Sequence, residues 1–185
     1  MASCRTLRVG QLNLARSMLA TGELPAIAKE LKLDVILIQE QYCGGVDILQ
    51  TGDRASAGVY LATGWTSCAV LHELSNSHCL VCVLGWTEIV LISAYFQYSH
   101  PIDEHLVHLQ RVLTVLRGRR IVIGVDCNAH STLWHCTPEQ CRVEIRGDTT
   151  TAKMEDFIYS LNLVINNVEG EPATFAGAGE SNITH

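Results

Sequence analysis

A short polar segment after an apolar run is the first place in this chain where chemistry is expected. Residues 121–125 are nearly all apolar and are followed at once by Asp126, Cys127 and Asn128. If the extended backbone continues, Asp126 and Asn128 point to the same side. A carboxylate and a carboxamide aimed together from a buried strand are costly unless they bind something. The alternative is an ordinary turn, because Asp and Asn are common turn residues.

Three further apolar runs end in polar groups, and this favours a binding site. The runs end at Asn13, Glu40 and Tyr95. Neighbouring strands of a layered sheet can bring such ends to one rim, where ligands usually bind. Glu40 follows Val-Ile-Leu-Ile-Gln, so it is either a surface carboxylate beyond the strand or a buried metal ligand.

These side chains have the chemistry of a metal-assisted phosphodiesterase. Hard oxygen ligands suit Mg²⁺, with Mn²⁺ as an alternative ion. Such an ion polarises a phosphoryl oxygen and steadies the leaving group. Asp126 would orient or deprotonate the attacking water, and Asn128 and Tyr95 would hydrogen-bond the phosphate. We therefore predict catalytic roles for Asn13, Glu40, Tyr95, Asp126 and Asn128, with Glu40 and Asn13 as metal ligands.

The elements that must position these residues alternate between strands and helices. Apolar and β-branched patterns predict strands over residues 7–14, 34–39, 58–61, 67–71, 78–84, 88–95, 121–125 and 163–166. The 121–125 strand is expected to be buried on both faces. Helical spacing predicts helices over residues 25–33, 101–116 and 154–160. This order indicates an α/β layer arrangement. The absence of a repeat or linker in the sequence predicts a single domain over residues 1–185.

Composition limits the classes of protein that fit. The chain has 185 residues, 48% of them hydrophobic and 17% charged, which predicts a globular domain with a good core. The net charge is −6, whereas many nucleic-acid-binding proteins are strongly basic, so DNA contact would depend on local Arg residues.

No apolar run approaches the ~18 residues of a membrane span. Residues 1–10 contain no apolar secretory signal, so we expect the eight cysteines to be reduced thiols in a cytosolic or nuclear protein.

The strand ends and their surroundings resemble the exonuclease–endonuclease–phosphatase superfamily. The chain is most similar to the apurinic/apyrimidinic-type endonuclease domain of non-LTR retrotransposons. The motifs that carry the resemblance are LNL around Asn13, ILIQE with Glu40, SAYF with Tyr95, IGVDCNAHSTLW with Asp126 and Asn128, Arg146-Gly147, EDFI at 155–158, PATF at 172–175 and Ser181-Asn182-Ile183.

The resemblance implies a fold, an activity and a larger context. The fold would be a four-layered α/β sandwich, two packed mixed β-sheets flanked by helices. The activity would be Mg²⁺-dependent nicking of double-stranded DNA to leave a 3′-hydroxyl. In the family that end primes reverse transcription of the element's RNA by the reverse transcriptase domain of the same polyprotein. This chain would then be an N-terminal domain of such a polyprotein, acting in the nucleus at a defined site such as a ribosomal RNA gene.

DNA contacts are expected from three residues and two loops. Arg142 and Arg146 follow Asn128 and are candidates for phosphate contact, and Thr174 of the PATF motif is a third candidate for binding DNA. No helix rich in Arg, Asn and Gln is visible for reading the major groove. We therefore expect sequence preference to come from the loops at residues 44–58 and 136–150.

The chain departs from the family pattern at its end. After Ser-x-Ile the family has an Asp, and farther on a Ser-Asp-His motif whose His contacts the scissile phosphate. Here Ile183 is followed by Thr184 and His185. Either the C-terminal strands are lacking or residues between Ile183 and His185 are missing, and His185 receives no catalytic role.

Other functions stay open at this point. The same fold hosts apurinic-site repair nucleases and phosphatases of lipids or phosphate esters. The missing C-terminal motif also leaves open an inactive DNA- or protein-binding module. A zinc site is a further alternative, but its four candidate residues have a spacing that fits no common zinc module: His130, His135, Cys136 and Cys141.

Overall fold

Two mixed β-sheets form the centre of the fold in this computed structural model, which describes residues 6–44, 46–62, 67–137, 141 and 149–168. The first sheet has the order β1 (Val9–Asn13), β2 (Val35–Gln39), β3 (Ala57–Leu61). The second has the order β4 (Cys68–Val70), β5 (Cys79–Leu84), β6 (Ile89–Tyr95), β7 (Ile121–Asp126). The pairs β1–β2 and β6–β7 are parallel, and the other neighbours are antiparallel.

Helices cover the outer faces of the sheets. They are α1 (Met18–Gly22), α2 (Leu24–Glu30), α3 (Ile102–Val115) and α4 (Thr150–Ser160). The Ser17 side chain caps α1 by accepting a hydrogen bond from the Ala20 amide at 3.2 Å. Pro25 lies in the first turn of α2, where its missing N–H costs nothing. In the part of the chain that the structure describes, every helix is too short or too polar to cross a membrane.

Three apolar clusters separate four layers, which confirms the predicted α/β sandwich. The strand alternation of β2 shows how one element serves two clusters. Ile36 and Ile38 pack with Leu24 and Ala28 on the α2 side, whereas Val35 and Leu37 pack between the sheets. The outer face of the second sheet packs against α3 and α4 through a third cluster, which includes Val90, Ile92, Leu109, Val112 and Phe157.

The space between the sheets changes from apolar to polar toward the carboxyl ends of the parallel strands. The Gln39 side chain, which is fully buried, donates to Ser93 Oγ at 3.0 Å and to the Gly124 carbonyl at 3.3 Å. Its Oε1 accepts from Gln11 Nε2 at 3.3 Å. At Gly124 a Cβ atom would lie 2.7 Å from Leu37 Cδ1 and 2.9 Å from Leu37 Cβ, so only glycine lets the sheets approach this closely. A layer of satisfied hydrogen bonds therefore joins the two sheets directly beneath the strand ends.

Two sequence-based expectations were wrong. Residues 163–166 form no strand, although Leu163 and Ile165 pack against the α3–α4 cluster; their alternation reflects this packing and no strand pairing. The 121–125 strand is not buried on both faces, because Gly124 is the one buried residue of β7 and the others are half-buried. In the described residues β7 has β6 as its one strand neighbour. Helix α1 was not predicted, since its five residues carry too short a pattern.

The buried amide of Gln39 gives a stability prediction. We expect Gln39→Leu to lower the free energy of unfolding by about 1–3 kcal/mol, because the Gly124 carbonyl and the Gln11 amide lose their buried partner. Urea unfolding followed by circular dichroism measures the change. Gln110→Leu, on the exposed side of α3, is the control and should shift stability by less than about 0.5 kcal/mol. Equal losses in both variants would contradict the role of the buried bridge.

Candidate active site

The polar residues that end the apolar runs meet at one edge of the sandwich. Asn13 is the last residue of β1 and pairs in register with Gln39, directly before Glu40. Tyr95 and Asp126 are the last residues of β6 and β7 and pair with each other. Because both parallel pairs end on the same side, their terminal side chains lie above the polar layer built on Gln39.

Asn13 joins the two carboxylates. Its Nδ2 donates to Asp126 Oδ2 at 2.6 Å and to Glu40 Oε2 at 3.2 Å. Its Oδ1 accepts from the Ala15 amide at 2.8 Å, which fixes the orientation of the carboxamide. The amide nitrogen, not the oxygen, thus faces the carboxylates. Ligation of a metal through Oδ1 would require the carboxamide to turn over and release Ala15.

Tyr95 and Asn128 lie beside these carboxylates. The pKa of the Tyr95 hydroxyl responds to the Glu40 and Asp126 carboxylates and to the Asn128 side chain, which places the phenol next to them. Burial is the main cause that raises the pKa of Tyr95, and the negative charge of Glu40 adds to it. The phenol therefore stays a neutral hydrogen-bond donor in neutral solution. The structure brings all five predicted residues close together: Asn13, Glu40, Tyr95, Asp126 and Asn128.

The segment after β7 is both a turn and part of the site. Asn128 has a left-handed φ of +49°, and its backbone amide donates to Asp126 Oδ1 at 3.1 Å. The extended backbone therefore does not continue past Asp126, and the simple expectation that strand geometry aligns the two side chains was wrong. The turn redirects Asn128 instead, and its Nδ2 donates to the Phe96 carbonyl at 2.9 Å. From the sequence, a turn and a binding site were alternative interpretations of this segment. In the structure the same segment forms the turn and contributes side chains to the candidate site.

The NAHSTLW segment holds this turn in place. Trp134 Nε1 donates to the Ala129 carbonyl at 3.3 Å, and the indole packs against the α3–α4 cluster. The buried Ser131 hydroxyl donates to the Glu155 carboxylate on α4. Glu155 belongs to the EDFI segment, so these two motifs contact each other in the fold. Through these contacts the two motifs hold in place the segment that directly follows Asn128.

Arg16 and Ser56 also border the site, although neither was among the residues predicted from the sequence. Arg16 Nη2 donates to Ser56 Oγ at 2.8 Å, and its Nε lies 3.7 Å from Glu40 Oε1. Ser56 also accepts the Glu40 amide through its backbone carbonyl at 2.9 Å. The sequence offered one indication for Arg16, which is that it lies three residues from Asn13, a predicted metal ligand. Ser56 carried no signal, since only tertiary structure brings it to Glu40.

The thiols and histidines near β7 do not offer an alternative centre. Burial raises the pKa of Cys127 to about 12, so this thiol stays protonated and is no nucleophile. Among the described residues, no three His, Cys, Asp or Glu side chains are arranged to hold a metal ion. The described residues include the four zinc candidates: His130, His135, Cys136 and Cys141.

Several predicted DNA-binding positions lie outside the described residues. These are Arg142, Arg146 and Thr174. The same holds for His185, the Ser181-Asn182-Ile183 segment and most of the 136–150 loop. Their expected contacts with DNA stay predictions.

Comparison with known proteins identifies the family. The model of a family described as endonuclease–reverse transcriptase matches residues 89–184, more than half of the chain. A putative 115 kDa protein in the type-1 retrotransposable element R1DM of Drosophila melanogaster is 28% identical over 134 residues. That alignment covers 67% of this chain and 13% of the relative, so the chain spans a small part of the relative's length.

Solved structures agree with this family. The endonuclease domain of TRAS1, a telomere-specific non-LTR retrotransposon, has a TM-score of 0.71 and 26% identity, covering 97% of this chain and 81% of that one. The AP endonuclease LMAP from Leishmania major has a TM-score of 0.59 and 14% identity, covering 84% of this chain and 67% of that one, and it shows the shared fold alone. The chain belongs to the endonuclease–reverse transcriptase family, and it is a DNA endonuclease of the apurinic/apyrimidinic-like type found in non-LTR retrotransposons.

Proposed function

We propose that this domain is a Mg²⁺-dependent endonuclease that nicks double-stranded DNA to leave a 3′-hydroxyl, and that this end primes reverse transcription. The clustering of the five candidate residues at one edge of the sandwich carries the proposal. Two carboxylates, a phenol and two carboxamides surround one position there. Those are groups that can orient a water molecule and hold a phosphate.

The donor set fits a hard divalent cation. Glu40 and Asp126 share one amide nitrogen, so their carboxylates lie close together. Arg16 Nε forms an ion pair with Glu40 Oε1 at 3.7 Å, so one positive charge stands against the two carboxylates. Mg²⁺ takes one or two protein carboxylates and leaves its other positions to water and phosphate. We assign Glu40 as the main ligand, with Asn13 as a further ligand if its carboxamide turns over; Mn²⁺ suits the same oxygen atoms.

Each residue around this position has a separate proposed role in the cleavage reaction. A bound ion would polarise a phosphoryl oxygen and stabilise the leaving oxygen. Asp126, held by Asn13 and by the Asn128 amide, is oriented to hold the attacking water and accept its proton. Tyr95 stays protonated and can donate to the phosphate, and Asn128 can donate through its carboxamide. The Asn13 bridge sets the spacing between the two carboxylates.

The wider context is also a proposal. The Drosophila relative is much longer than this chain, which supports a single endonuclease domain over residues 1–185 within a larger polyprotein. A reverse transcriptase domain of the same polyprotein would then extend the nicked end with the element's RNA as template. Because the DNA target of such an element is chromosomal, we expect the domain to act in the nucleus.

The first test is nicking by the wild-type domain and by Asp126→Ala. We expect Asp126→Ala to reduce the nicking rate of supercoiled plasmid by about 10²–10⁴-fold while DNA affinity changes little, because Asp126 acts on the water. Asp156→Asn, exposed on α4, is the matched control and should nick like the wild type. EDTA should stop the reaction in every variant. Nicking by Asp126→Ala at the wild-type rate, with circular dichroism unchanged, would refute the assignment.

The same assay separates the alternative functions. A domain that prefers DNA with an abasic site over undamaged DNA would be a repair-type nuclease of the same fold. Binding without any nicking in Mg²⁺ or Mn²⁺ would instead indicate an inactive DNA-binding module.

The metal assignment has a readout besides activity. We expect Glu40→Gln to weaken Mn²⁺ binding, followed by electron paramagnetic resonance, by about tenfold or more, since the main charged ligand is lost. Glu104→Gln, exposed in the first turn of α3, should leave the affinity unchanged. Equal affinity of wild type and Glu40→Gln would place the ion elsewhere.

Sequence preference is proposed to come from the loops beside the site. The 44–58 loop is tied to it through Ser56, whereas Gly52, Asp53 and Arg54 in the same loop are exposed. Replacing residues 52–54 by Gly-Ser-Gly should redistribute nick positions on a DNA ladder and leave Mg²⁺-dependent cleavage intact. Arg117→Gln, near the other end of β7, is the control. Unchanged relative cutting frequencies in the loop variant would show that this loop does not set specificity.

A further inference from the structure

The backbone before α1 is held in an unusual shape that presents Arg16 beside the site. Ala15 and Arg16 have φ angles of +46° and +56°, consecutive left-handed conformations in residues other than glycine. Such conformations are unfavourable for residues with a Cβ atom and persist only where surrounding contacts impose them. Here the Ala15 amide donates to Asn13 Oδ1, and the Arg16 amide donates to the Glu40 carbonyl at 2.6 Å. The site residues themselves therefore fix the position of Arg16.

The guanidinium of Arg16 is anchored at one side and open at the other. Ser56, which is buried, accepts its Nη2 at 2.8 Å, while the Arg16 side chain is 51% exposed. A guanidinium has five N–H donors. The Ser56 bond uses one of them, and the 3.7 Å approach to Glu40 is too long to be a hydrogen bond. Several donors thus remain for a ligand that arrives from solvent.

The charge of Arg16 matters because its surroundings repel DNA. The chain carries a net charge of −6, and Glu40 and Asp126 add local negative charge where a phosphate must come close. The field of Arg16 also reaches beyond Glu40. The pKa of His78 is lowered mainly by burial and by the neighbouring His100, and the positive charge of Arg16 contributes. Arg16 therefore supplies positive potential across the rim toward the His78 side.

We propose that Arg16, held by the Ser56 hydroxyl, binds a backbone phosphate of the DNA next to the bond that is cut. Arg is suited to this task because its planar donors match two phosphate oxygens at once. The contact would set the register of the strand relative to Asp126 and Glu40, and it would offset the repulsion from their carboxylates. This inference rests on the proposed function, since it assumes that DNA lies across the same rim.

The salt dependence of binding tests the contact. Binding of a fluorescent DNA duplex is measured in EDTA, so that no cleavage occurs, over a series of salt concentrations. We expect Arg16→Gln to weaken binding about tenfold at low salt and to reduce the slope of log K against log [salt] by about 0.9, the value for one lost phosphate contact. Arg119→Gln is the matched control. Arg119 is exposed before β7, at the end opposite to Asp126, and its slope should equal that of the wild type.

A second variant keeps the charge and removes only the anchor. Ser56→Ala should leave the salt slope unchanged and raise the KM for nicking several-fold with kcat nearly constant, because Arg16 still binds but is less well positioned. An unchanged KM in Ser56→Ala would overturn the anchoring role. A wild-type slope in Arg16→Gln, or an equal loss in Arg119→Gln, would overturn the phosphate contact.

The outcome is separable from that of the proposed function. A wild-type domain that nicks in Mg²⁺ while Arg16→Gln keeps the full slope defeats this inference alone. A wild-type domain that binds DNA with the expected slope change but never nicks defeats the proposed function alone.

Discussion

The buried hydrogen-bond layer around Gln39 is the constraint on which the rest of the structure depends. One carboxamide, fully removed from water, joins β2 of the first sheet to Ser93 and Gly124 of the second. An apolar side chain at this position would leave buried carbonyl and amide groups without partners, at a cost of about 1–3 kcal/mol for each group. Each hydrogen bond of the polar layer requires a short donor–acceptor distance, so the layer restrains the distance and the register between the sheets. Apolar packing alone would tolerate small shifts of one sheet over the other.

That fixed register is what makes the site. The residues that follow the polar layer along each strand come from both sheets and meet without a covalent link: Asn13, Glu40, Tyr95 and Asp126. A shift of one residue would turn each strand-end side chain to the other face of its sheet. The close approach at Gly124 serves the same end, since it lies two residues before Asp126 on the same face of β7. Interior packing and chemistry are thus connected through strand alternation.

Electrostatics explains why the network has its particular members. Two carboxylates at the rim repel each other, and the Asn13 amide lies between them as a shared donor. Tyr95 contributes a hydroxyl whose pKa is raised by burial and by the Glu40 charge, so it adds no further negative charge. Arg16 stands at one side and compensates in part for Glu40. The excess of negative charge that remains is what a divalent cation and a phosphate, bound together, would balance.

Much of this protein was determined by its sequence alone. The seven strands that the structure describes lie within or next to the predicted ones, because alternation and β-branched runs are local signals. The five candidate site residues, which the structure brings close together, were predicted because each polar group interrupts an apolar pattern, an anomaly that is visible without a fold. Only tertiary structure decided what lies between those residues. In the sequence, Gln39 is an ordinary polar residue at the end of a strand and Ser56 is an ordinary loop residue. Only the folded structure brings Gln39 to Ser93 and Ser56 to Arg16. That β7 has β6 as its one strand neighbour among the described residues was likewise not visible, because the sequence records the order of the strands but not which of them pair.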